Sequence, residues 1–424
     1  MSIRITKEKL KNGSYSNIFS QIYSSSEEAA TRYCEACDEY QKLYGDGDVM
    51  LFSAPGRTEV GGNHTDHQHG RVLAGSVDFD VIAVAAKSDD NTVKIKSKGF
   101  PEDVVCIDEL ACKAEENGQA ISLIRGILAE FKARGYKIGG FTAYTTSNVL
   151  KGSGLSSSAA FEIAVCVMIN GLFNNGRMDP IEMAVISQIA ENKYYGKPSG
   201  LMDQMASSVG GFIAIDFYNN TQPLITKIDF DFKKSGHKLC IVNTGGNHVD
   251  LTDDYAAIIV ECKQISNALS VEHLRYADKA DFYSRIGELR KKYGDRAVLR
   301  AIHFFDEDQR ADLEKVALLK KDFNRFLQLI NKSGNSSYKY LQNVFSVSCP
   351  AEQGLSLALA LTEKFLDGRG ACRVHGGGFA GTIQCFIPDD MINEYKEMIE
   401  AVFGKGNCYV LNIRPFGGCQ ITEN

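Results

Sequence analysis

A glycine- and serine-rich turn followed at once by a long apolar segment limits most strongly what this chain can fold into. The turn Lys151-Gly152-Ser153-Gly154-Leu155-Ser156-Ser157-Ser158 precedes the apolar run 159–173, which has the length and composition of a core helix. Glycines allow a backbone to approach an anion closely, and a helix N-terminus directs free N–H groups at it. Serines can simply cap a helix, but three in a row after Gly-x-Gly-Leu exceed what a cap requires. The turn lacks the Walker spacing, so the pattern predicts a phosphate-binding turn of another type.

Strand-like and helical segments surround this turn, with no repeats and no low-complexity linker. Alternating hydrophobicity predicts strands, and apolar residues at helical spacing predict helices. The predicted strands are 49–54, 77–86, 92–97, 141–146, 212–217, 226–228 and 239–243, and the predicted helices are 27–43, 121–134, 159–173, 180–193, much of 254–332, and 350–366. A turn cluster at 219–223 is the best boundary marker. We therefore predict an α+β fold of two domains, residues 1–218 and 219–424.

Charge and hydropathy exclude several classes of partner. Lys and Arg total 47 against 53 Asp and Glu, a net charge of −6 with neutral histidine, so the chain has no cationic surplus for a nucleic-acid footprint. No uninterrupted apolar run reaches about 18 residues, the length of a membrane span, and residues 1–9 do not form an apolar signal core. The 12 scattered cysteines are typical of reduced thiols. We expect a cytoplasmic protein that binds neither nucleic acid nor membrane, with its oligomeric state left open.

A second polar segment, Gly56 to Gly70, concentrates hydrogen-bonding side chains between glycines, as functional loops do. Four of its side chains are possible zinc ligands, namely His64, Asp66, His67 and His69. Neighbours this close in an extended chain point to opposite faces, which disfavours a shared ion. Asp, Asn and His also suit sugar hydroxyls, and Arg57 beside them could stabilise negative charge. We favour recognition of a polyol, with a zinc hydrolase as the alternative.

A third segment, His375-Gly376-Gly377-Gly378-Phe379-Ala380-Gly381, formally matches the dinucleotide-binding fingerprint. That fingerprint must lead into a helix, whereas 382–387 has the pattern of a strand. Two interpretations stay open: a tight glycine turn between strands, or a backbone-lined wall against a substrate or nucleotide.

The three segments, in this order, resemble the three motifs of the GHMP small-molecule kinases, and the first is similar to the galactokinase signature. Further matches are 199–204, 251–255 and 347–350, so the resemblance spans roughly residue 51 to the C-terminus. It implies a two-domain GHMP kinase fold with the active site in the cleft between the domains. It also implies an ATP-dependent sugar 1-kinase, with galactose as the first candidate sugar.

The resemblance also implies roles for individual residues. Asp203 matches the base or orienting carboxylate toward the sugar 1-hydroxyl, and Arg57 matches the cation that stabilises the alkoxide and the transferring phosphoryl group. Ser158 and Glu191 match ligands of Mg²⁺, a hard ion that prefers oxygen. The implied sugar contacts are Asn63, His64, Asp66, Gly200 and Tyr255, and the implied ATP contacts are Gly152, Ser153, Gly154, Leu155, Ser156, Ser157 and Ser158.

The first motif departs from the family pattern at three places. Asn63 stands where the family has Glu, His67 replaces a Tyr, and Glu59-Val60-Gly61 replaces Asn-Leu-Ile. Asn63 carries no negative charge, so galacturonate, which bears a 6-carboxylate, or an N-acetylated galactose-type sugar is an alternative substrate. A non-catalytic sensor of sugar and ATP is the alternative of another class. The intact Ser156-Ser157-Ser158 run favours the enzyme.

Overall fold

Two β-sheets with helices packed around them organise the chain, as the α+β prediction requires. The structure is a computed structural model that describes residues 1–149, 154–245 and 251–423, without the side chain of residue 252. In this part of the chain the first sheet has eight strands and the second has four. The strands are β1 (Met50–Gly61), β2 (Arg71–Lys87), β3 (Thr92–Ser97), β4 (Glu102–Cys106), β5 (Phe141–Ser147), β6 (Phe212–Asp216), β7 (Leu224–Ile228), β8 (His237–Asn243), β9 (Ala371–Val374), β10 (Thr382–Pro388), β11 (Cys408–Leu411) and β12 (Cys419–Ile421).

The helices follow the periodicity of the sequence closely, including the helical stretch predicted after residue 254. They are α1 (Ile3–Lys11), α2 (Ser16–Ile22), α3 (Ser26–Tyr44), α4 (Ala120–Ala133), α5 (Ser157–Asn174), α6 (Pro180–Ile189), α7 (Met202–Val209), α8 (Thr252–Ala268), α9 (Lys279–Ser284), α10 (Ile286–Tyr293), α11 (Asp295–Leu319), α12 (Phe323–Ser336), α13 (Gly354–Leu366) and α14 (Ile392–Phe403). Two of them continue into π-helical turns, Ala190–Tyr195 after α6 and Ser337–Leu341 after α12. The helix predicted over 180–193 therefore changes its winding at residue 190.

The first sheet runs in the order β12-β1-β2-β5-β3-β4, and β6 joins β2 and carries β7. The second sheet runs β11-β8-β10-β9, with antiparallel neighbours throughout. Both β7 and β12 lie beyond residue 218 but belong to the first sheet. The first sheet therefore contains strands from both sides of the domain boundary predicted at residue 219, because strand pairing joins segments that are far apart in sequence. The four strands of the second sheet all lie beyond it.

Strand β1 is longer than its sequence pattern predicts. Pro55-Gly56 suggests an end after Ala54, but pairing with β2 continues to Gly61 through register shifts at Pro55/Arg57 and Glu59/Gly61. Proline is tolerated at such irregularities because they do not need its missing N–H. Half of the polar segment predicted as a loop is therefore buried strand, which gives Arg57 a rigid support.

Helix α5 packs across the first sheet as its core helix. A Cβ on Gly171 would lie 2.5 Å from the Phe52 ring of β1, so glycine lets the helix approach the strand. By length and composition α5 could cross a membrane, but 67% of it is buried inside the protein. The helix begins at Ser157, directly after the phosphate-binding turn that the sequence predicts.

A buried carboxylate, Asp80 on β2, ties both ends of the chain to the first sheet. It accepts hydrogen bonds from the Tyr23 hydroxyl at 2.6 Å and from Arg32, and it pairs with Arg414 at 3.5 Å. Asp80 and Arg414 are fully buried. Burial alone would raise the pKa of Asp80, but the charges of Arg32 and Arg414 hold this pKa below its ordinary value.

We predict that Asp80→Asn lowers the free energy of unfolding by about 3–5 kcal/mol at pH 7, because it leaves the buried Arg414 without its countercharge. Urea denaturation measures this difference. Since the pKa of Asp80 is depressed, its contribution is present above about pH 4 and is lost as the pH falls through the folded-state value. The loss of unfolding free energy caused by Asp80→Asn should therefore shrink in acid.

The matched change Asp89→Asn, at an exposed turn, should cost less than about 0.5 kcal/mol. Equal effects of the two substitutions would contradict the assignment.

Candidate active site

An ion pair between Arg57 of β1 and Asp203 in the first turn of α7 lies at the centre of the site. Arg57 Nε donates to Asp203 Oδ1 at 2.7 Å, and Arg57 Nη2 donates to Oδ2 at 2.9 Å. This is the bidentate geometry of a guanidinium with a carboxylate. The Ser156 hydroxyl donates to Asp203 Oδ2, and Arg57 Nη1 donates to the Gly154 carbonyl. The strand β1, the turn before α5 and the helix α7 therefore meet at the side chains of Arg57 and Asp203.

The charge of Asp203 is set by these neighbours. Burial alone would raise the pKa of Asp203, but the Arg57 charge and the hydrogen bonds from Arg57 and Ser156 lower this pKa below its ordinary value. Asp203 is therefore ionised at neutral pH. It can accept a hydrogen bond from a substrate hydroxyl, and its low basicity suits orientation of that hydroxyl better than early removal of its proton.

The predicted phosphate turn lies against this pair. The Arg57 amide donates to the Leu155 carbonyl at 3.0 Å, and a Cβ on Gly56 would lie 2.8 Å from that oxygen. Gly154 and Ser156 both have positive φ, of 72° and 56°. A positive φ is costly for serine, and backbone strain of this kind is typical of functional turns. Of the predicted ATP contacts, Gly154 to Ser158 are placed at the start of α5, and Gly152 and Ser153 lie outside the described residues.

A second polar cluster surrounds Glu191, in the π-helical turn after α6. Its Oε1 accepts from Lys197 Nζ at 2.8 Å and lies 3.4 Å from Ser158 Oγ. Its Oε2 accepts from Ser199 Oγ at 2.6 Å and from Gln204 Nε2 at 2.7 Å. The structure therefore brings together Ser158 and Glu191, the two residues predicted as metal ligands. π-Helical turns inside helices recur at functional sites because they redirect one side chain.

A third carboxyl group, Glu162 of α5, lies next to this cluster. It is fully buried, accepts from Gln204 Nε2 at 3.1 Å, and its Oε1 has no partner among the described residues. Burial raises the pKa of Glu162 well above its ordinary value, and the negative charge of Glu191 raises it further. Both effects favour the neutral form of Glu162.

The glycine-rich segment forms the opposite wall of the site, between β9 and β10 as predicted. Side chains hold three successive carbonyls of this wall. Asn63 Nδ2 donates to Gly376 O at 2.7 Å, His64 Nε2 contacts Gly377 O at 3.0 Å, and the Tyr255 hydroxyl donates to Gly378 O at 2.9 Å. A Cβ on Gly377 would lie 2.4 Å from the Tyr255 ring, so only glycine permits this packing. The wall is therefore fixed by residues predicted to contact the sugar.

Asn63 is completely buried, and protein groups occupy its amide. Its Nδ2 also donates to Glu59 Oε1 at 2.9 Å, and its Oδ1 accepts from Ser337 at 3.1 Å and Asn343 at 2.9 Å. A glutamate at this position would direct a carboxylate at two acceptors, Glu59 and the Gly376 carbonyl. Two departures from the family pattern, Glu59 and Asn63, are therefore coupled through one hydrogen bond.

Gly61, in the same replaced run as Glu59, has a separate cause. A Cβ there would lie 1.8 Å from the carboxyl of Glu314, a buried side chain of α11. Glycine is therefore required where this helix packs on β1.

Asp66 and Gly200 lie next to each other, since a Cβ on Gly200 would be 3.4 Å from Asp66 Oδ2. Burial raises the pKa of Asp66, and the nearby His64 acts in the opposite direction. Asp66 therefore lies close to Gly200 and His64, and the Asp203 charge also raises the pKa of Asp66.

The histidines of the first motif contact different parts of the protein, which argues against a shared zinc ion. His64 contacts the glycine wall, whereas His69 stacks on His273 with ring centroids 3.7 Å apart. Both ring nitrogens of His67 are buried without a partner among the described residues, and burial lowers its pKa to about 3. Within the described ranges, no three His, Cys, Asp or Glu side chains are grouped to hold a metal ion.

Sequence reasoning missed three residues of the site. Glu162 has a visible signal, because it is a lone carboxyl inside the apolar helix α5. Lys197 has a weaker one, a cation between two glycines shortly after Glu191. Asn343 has no signal in the sequence, since only the tertiary fold brings it to the wall. There it donates to Gly377 O at 3.1 Å and to Asn63.

Two family models match the chain over parts of the site. The model described as GHMP kinases N terminal domain matches residues 122–211. The model described as Galactokinase galactose-binding signature matches residues 38–87. Together they contain Arg57, the phosphate turn and Asp203.

Whole-chain comparisons agree with these matches. The galactokinase of Clostridium tetani is 28% identical over 87% of this chain and 91% of its own length. That of Fusobacterium nucleatum is 29% identical over 88% of this chain and 95% of its own length. The structure of Lactococcus lactis galactokinase complexed with galactose superposes with a TM-score of 0.74 at 23% identity, covering 93% of this chain and 100% of the other. Methanococcus jannaschii mevalonate kinase gives a TM-score of 0.62 at 15% identity, with 87% and 99% coverage. These two superpositions show the fold.

We predict that Glu162→Gln becomes more stable relative to the wild type as the pH rises above about 4.5. A carboxyl with a raised folded-state pKa contributes stability below its unfolded pKa, and this contribution is lost as the pH rises through the folded value. The glutamine amide of the variant cannot ionise, so the variant does not lose this stability as the pH rises. Urea unfolding at about pH 4.5, 6 and 8 measures the trend. The exposed control Glu352→Gln should show no trend, and a pH-independent difference for Glu162→Gln would show that Glu162 is charged in the folded protein.

Proposed function

We propose that this chain, a GHMP kinase by its N-terminal domain and its fold, is a cytoplasmic galactokinase that transfers the γ-phosphoryl group of ATP to the 1-hydroxyl of galactose. The Arg57–Asp203 pair carries the proposal, because it joins the sugar signature, the phosphate turn and α7 at one point. The relatives that share most of the chain at 28–29% identity are galactokinases. Phosphoryl transfer depends mainly on positioning and charge stabilisation, which such a pair supplies.

Asp203 is proposed as the carboxylate that orients the sugar. It accepts the hydrogen bond of the 1-hydroxyl and so directs that oxygen at the γ-phosphorus. As the new O–P bond forms, the hydroxyl proton passes toward Asp203, and ADP leaves with the electron pair of the broken P–O bond. The low pKa of Asp203 makes late proton transfer the favoured order, after bond formation has acidified the hydroxyl.

Arg57 is proposed to act on the same oxygen and on the transferring group. Its guanidinium keeps Asp203 ionised and oriented, and its position against the Gly154 carbonyl places positive charge beside the phosphate turn. Charge fixed in advance stabilises the transition state without reorganisation. The N–H groups at the start of α5, with Ser156, Ser157 and Ser158, are the proposed phosphate donors.

Mg²⁺ fits the donor set at the start of α5. Ser158 Oγ and Glu191 Oε1 are oxygen donors 3.4 Å apart, close to the spacing of neighbouring ligands around an ion at about 2.1 Å. These two residues would hold the ion, and ATP phosphates and water would complete its coordination. When bound, Mg²⁺ neutralises phosphate charge during transfer.

The sugar is proposed to lie between Asp203 and the glycine wall. His64, Asp66, Gly200 and Tyr255 stay the proposed contacts, because they flank this space from different elements. Asn63 is proposed to shape the site from behind, since its amide is already bonded to protein groups.

One observation favours a second candidate function, a 1-kinase for a galactose-type sugar with a 6-carboxylate or an N-acetyl group. Asn63 is neutral and stands where the family has a glutamate. It therefore contributes no negative charge that would repel a carboxylate. The carboxylates of Asp66 and Asp203 still favour the neutral sugar, and galactose therefore remains first.

We predict sugar-dependent release of ADP in a coupled assay with galactose, galacturonate and N-acetylgalactosamine, with the highest kcat/KM for galactose. Its hydroxyls match the donors and acceptors of the cleft without adding a charge. A higher kcat/KM for galacturonate would select the second candidate. An enzyme that turns over none of a broad panel of hexoses, hexuronates and N-acetylhexosamines would contradict the kinase proposal.

We predict that Asp203→Ala lowers kcat by at least about 10²-fold while galactose binding stays measurable by calorimetry. The carboxylate aligns the hydroxyl in the transition state, whereas other groups hold the ring. Asp89→Ala, at an exposed turn, is the control that should keep wild-type turnover. Substantial turnover by Asp203→Ala would refute the role of Asp203, and binding of sugar and ATP by the wild type without turnover would identify a sensor.

A further inference from the structure

Lys197 shares an oxygen with the proposed metal site. Its Nζ lies 2.8 Å from Glu191 Oε1, and the same Oε1 lies 3.4 Å from Ser158 Oγ. The other oxygen of Glu191 is occupied by Ser199 and Gln204. An ion held by Ser158 and Glu191 would therefore bind the oxygen that the ammonium group now contacts.

The burial of Glu191 explains why a cation lies there. The Glu191 side chain is 2% exposed, and a buried carboxylate needs a countercharge. Its other hydrogen-bond partners, Ser158, Ser199 and Gln204, carry no charge. Among the described residues, Lys197 is the one cation that forms an ion pair with Glu191.

The two sides of this ion pair differ in how easily they can move. The Glu191 side chain is held by hydrogen bonds from Ser199 and Gln204. The Lys197 side chain is 56% exposed and reaches Glu191 along a flexible stem. Separating the pair thus moves an ammonium group toward solvent, where screening makes the loss modest. The carboxylate stays in place for another cation.

We propose that Lys197 is the resident countercation of Glu191 in the nucleotide-free enzyme and that a divalent ion must displace it to reach this carboxylate. The inference rests on the proposed kinase function for the identity of the ion. It goes beyond that function by proposing that Lys197 competes with the metal ion for the Glu191 carboxylate. This competition lowers the affinity for free metal, because only molecules in which Lys197 has left Glu191 can bind the ion.

The test measures Mn²⁺ binding to the nucleotide-free protein at pH 8 from the electron paramagnetic resonance signal of free Mn²⁺. Lys197→Gln should bind Mn²⁺ about fivefold more tightly than the wild type, at the low end of coupling between sites. Lys193→Gln removes the same charge from an exposed side chain of the same segment and should match the wild type. Glu191→Gln in the Lys197→Gln background should abolish the gain. Binding by Lys197→Gln that is equal to or weaker than that of Lys193→Gln overturns the proposal.

A second measurement uses the unchanged protein and so does not depend on the folding of Lys197→Gln. Lysines are dimethylated with ¹³C-formaldehyde, which preserves their charge, and the Lys197 signal is identified by its absence in Lys197→Arg. This signal should shift when Mg²⁺ saturates the protein, and an unmoved signal would overturn the proposal. Both readouts are independent of turnover. A protein that shows metal exchange but phosphorylates no sugar would therefore refute the proposed function alone.

Discussion

The ion pair between Arg57 and Asp203 is the interaction on which the site depends. Arg57 comes from β1, which pairs with β2 in the first sheet, and Asp203 comes from the first turn of α7, a helix packed on that strand. The bidentate geometry leaves little freedom to either side chain. Through Ser156 and the Gly154 carbonyl the same pair also sets the position of the phosphate turn. In the proposed function, this strand would determine where a nucleotide and an acceptor hydroxyl meet.

Charge around this pair is limited. Asp203 is paired with Arg57, Glu191 is paired with Lys197, and burial raises the pKa of Glu162 well above its ordinary value. A buried unpaired charge would cost several kcal/mol, so this distribution is the one that a stable fold permits. It leaves one carboxylate available to a divalent ion, next to the helix terminus that would bind phosphates. The net charge of −6 is compatible with the proposed kinase, in which backbone N–H groups and a metal ion would replace a basic surface.

The departures from the family signature belong to the fold of the wall opposite this pair. Glu59 and Asn63 are bonded to each other, and Asn63 in turn fixes a carbonyl of the glycine turn. Gly61 leaves room for Glu314 of α11. The residue at position 63 therefore contributes to the packing of the wall through these hydrogen bonds. In the proposed function, the same residue would also affect the charge near the sugar.

The sequence by itself determined the α+β class, the helices with clear apolar periodicity, the glycine turn between strands and the start of α5 after the phosphate turn. These features depend on local pattern and turn chemistry, which a single chain displays directly. Resemblance to a family selected Asp203 and Glu191, which no local pattern distinguishes from other carboxylates, and it gave roles to Arg57 and Ser158, which the motifs already indicated. Only the tertiary structure decided that β1 continues past Pro55, that β7 and β12 join the first sheet, and that Lys197, Glu162 and Asn343 lie at the site. The physical reason is that strand pairing, burial and countercharge are set by residues distant in sequence, so their partners become visible only when the chain is folded.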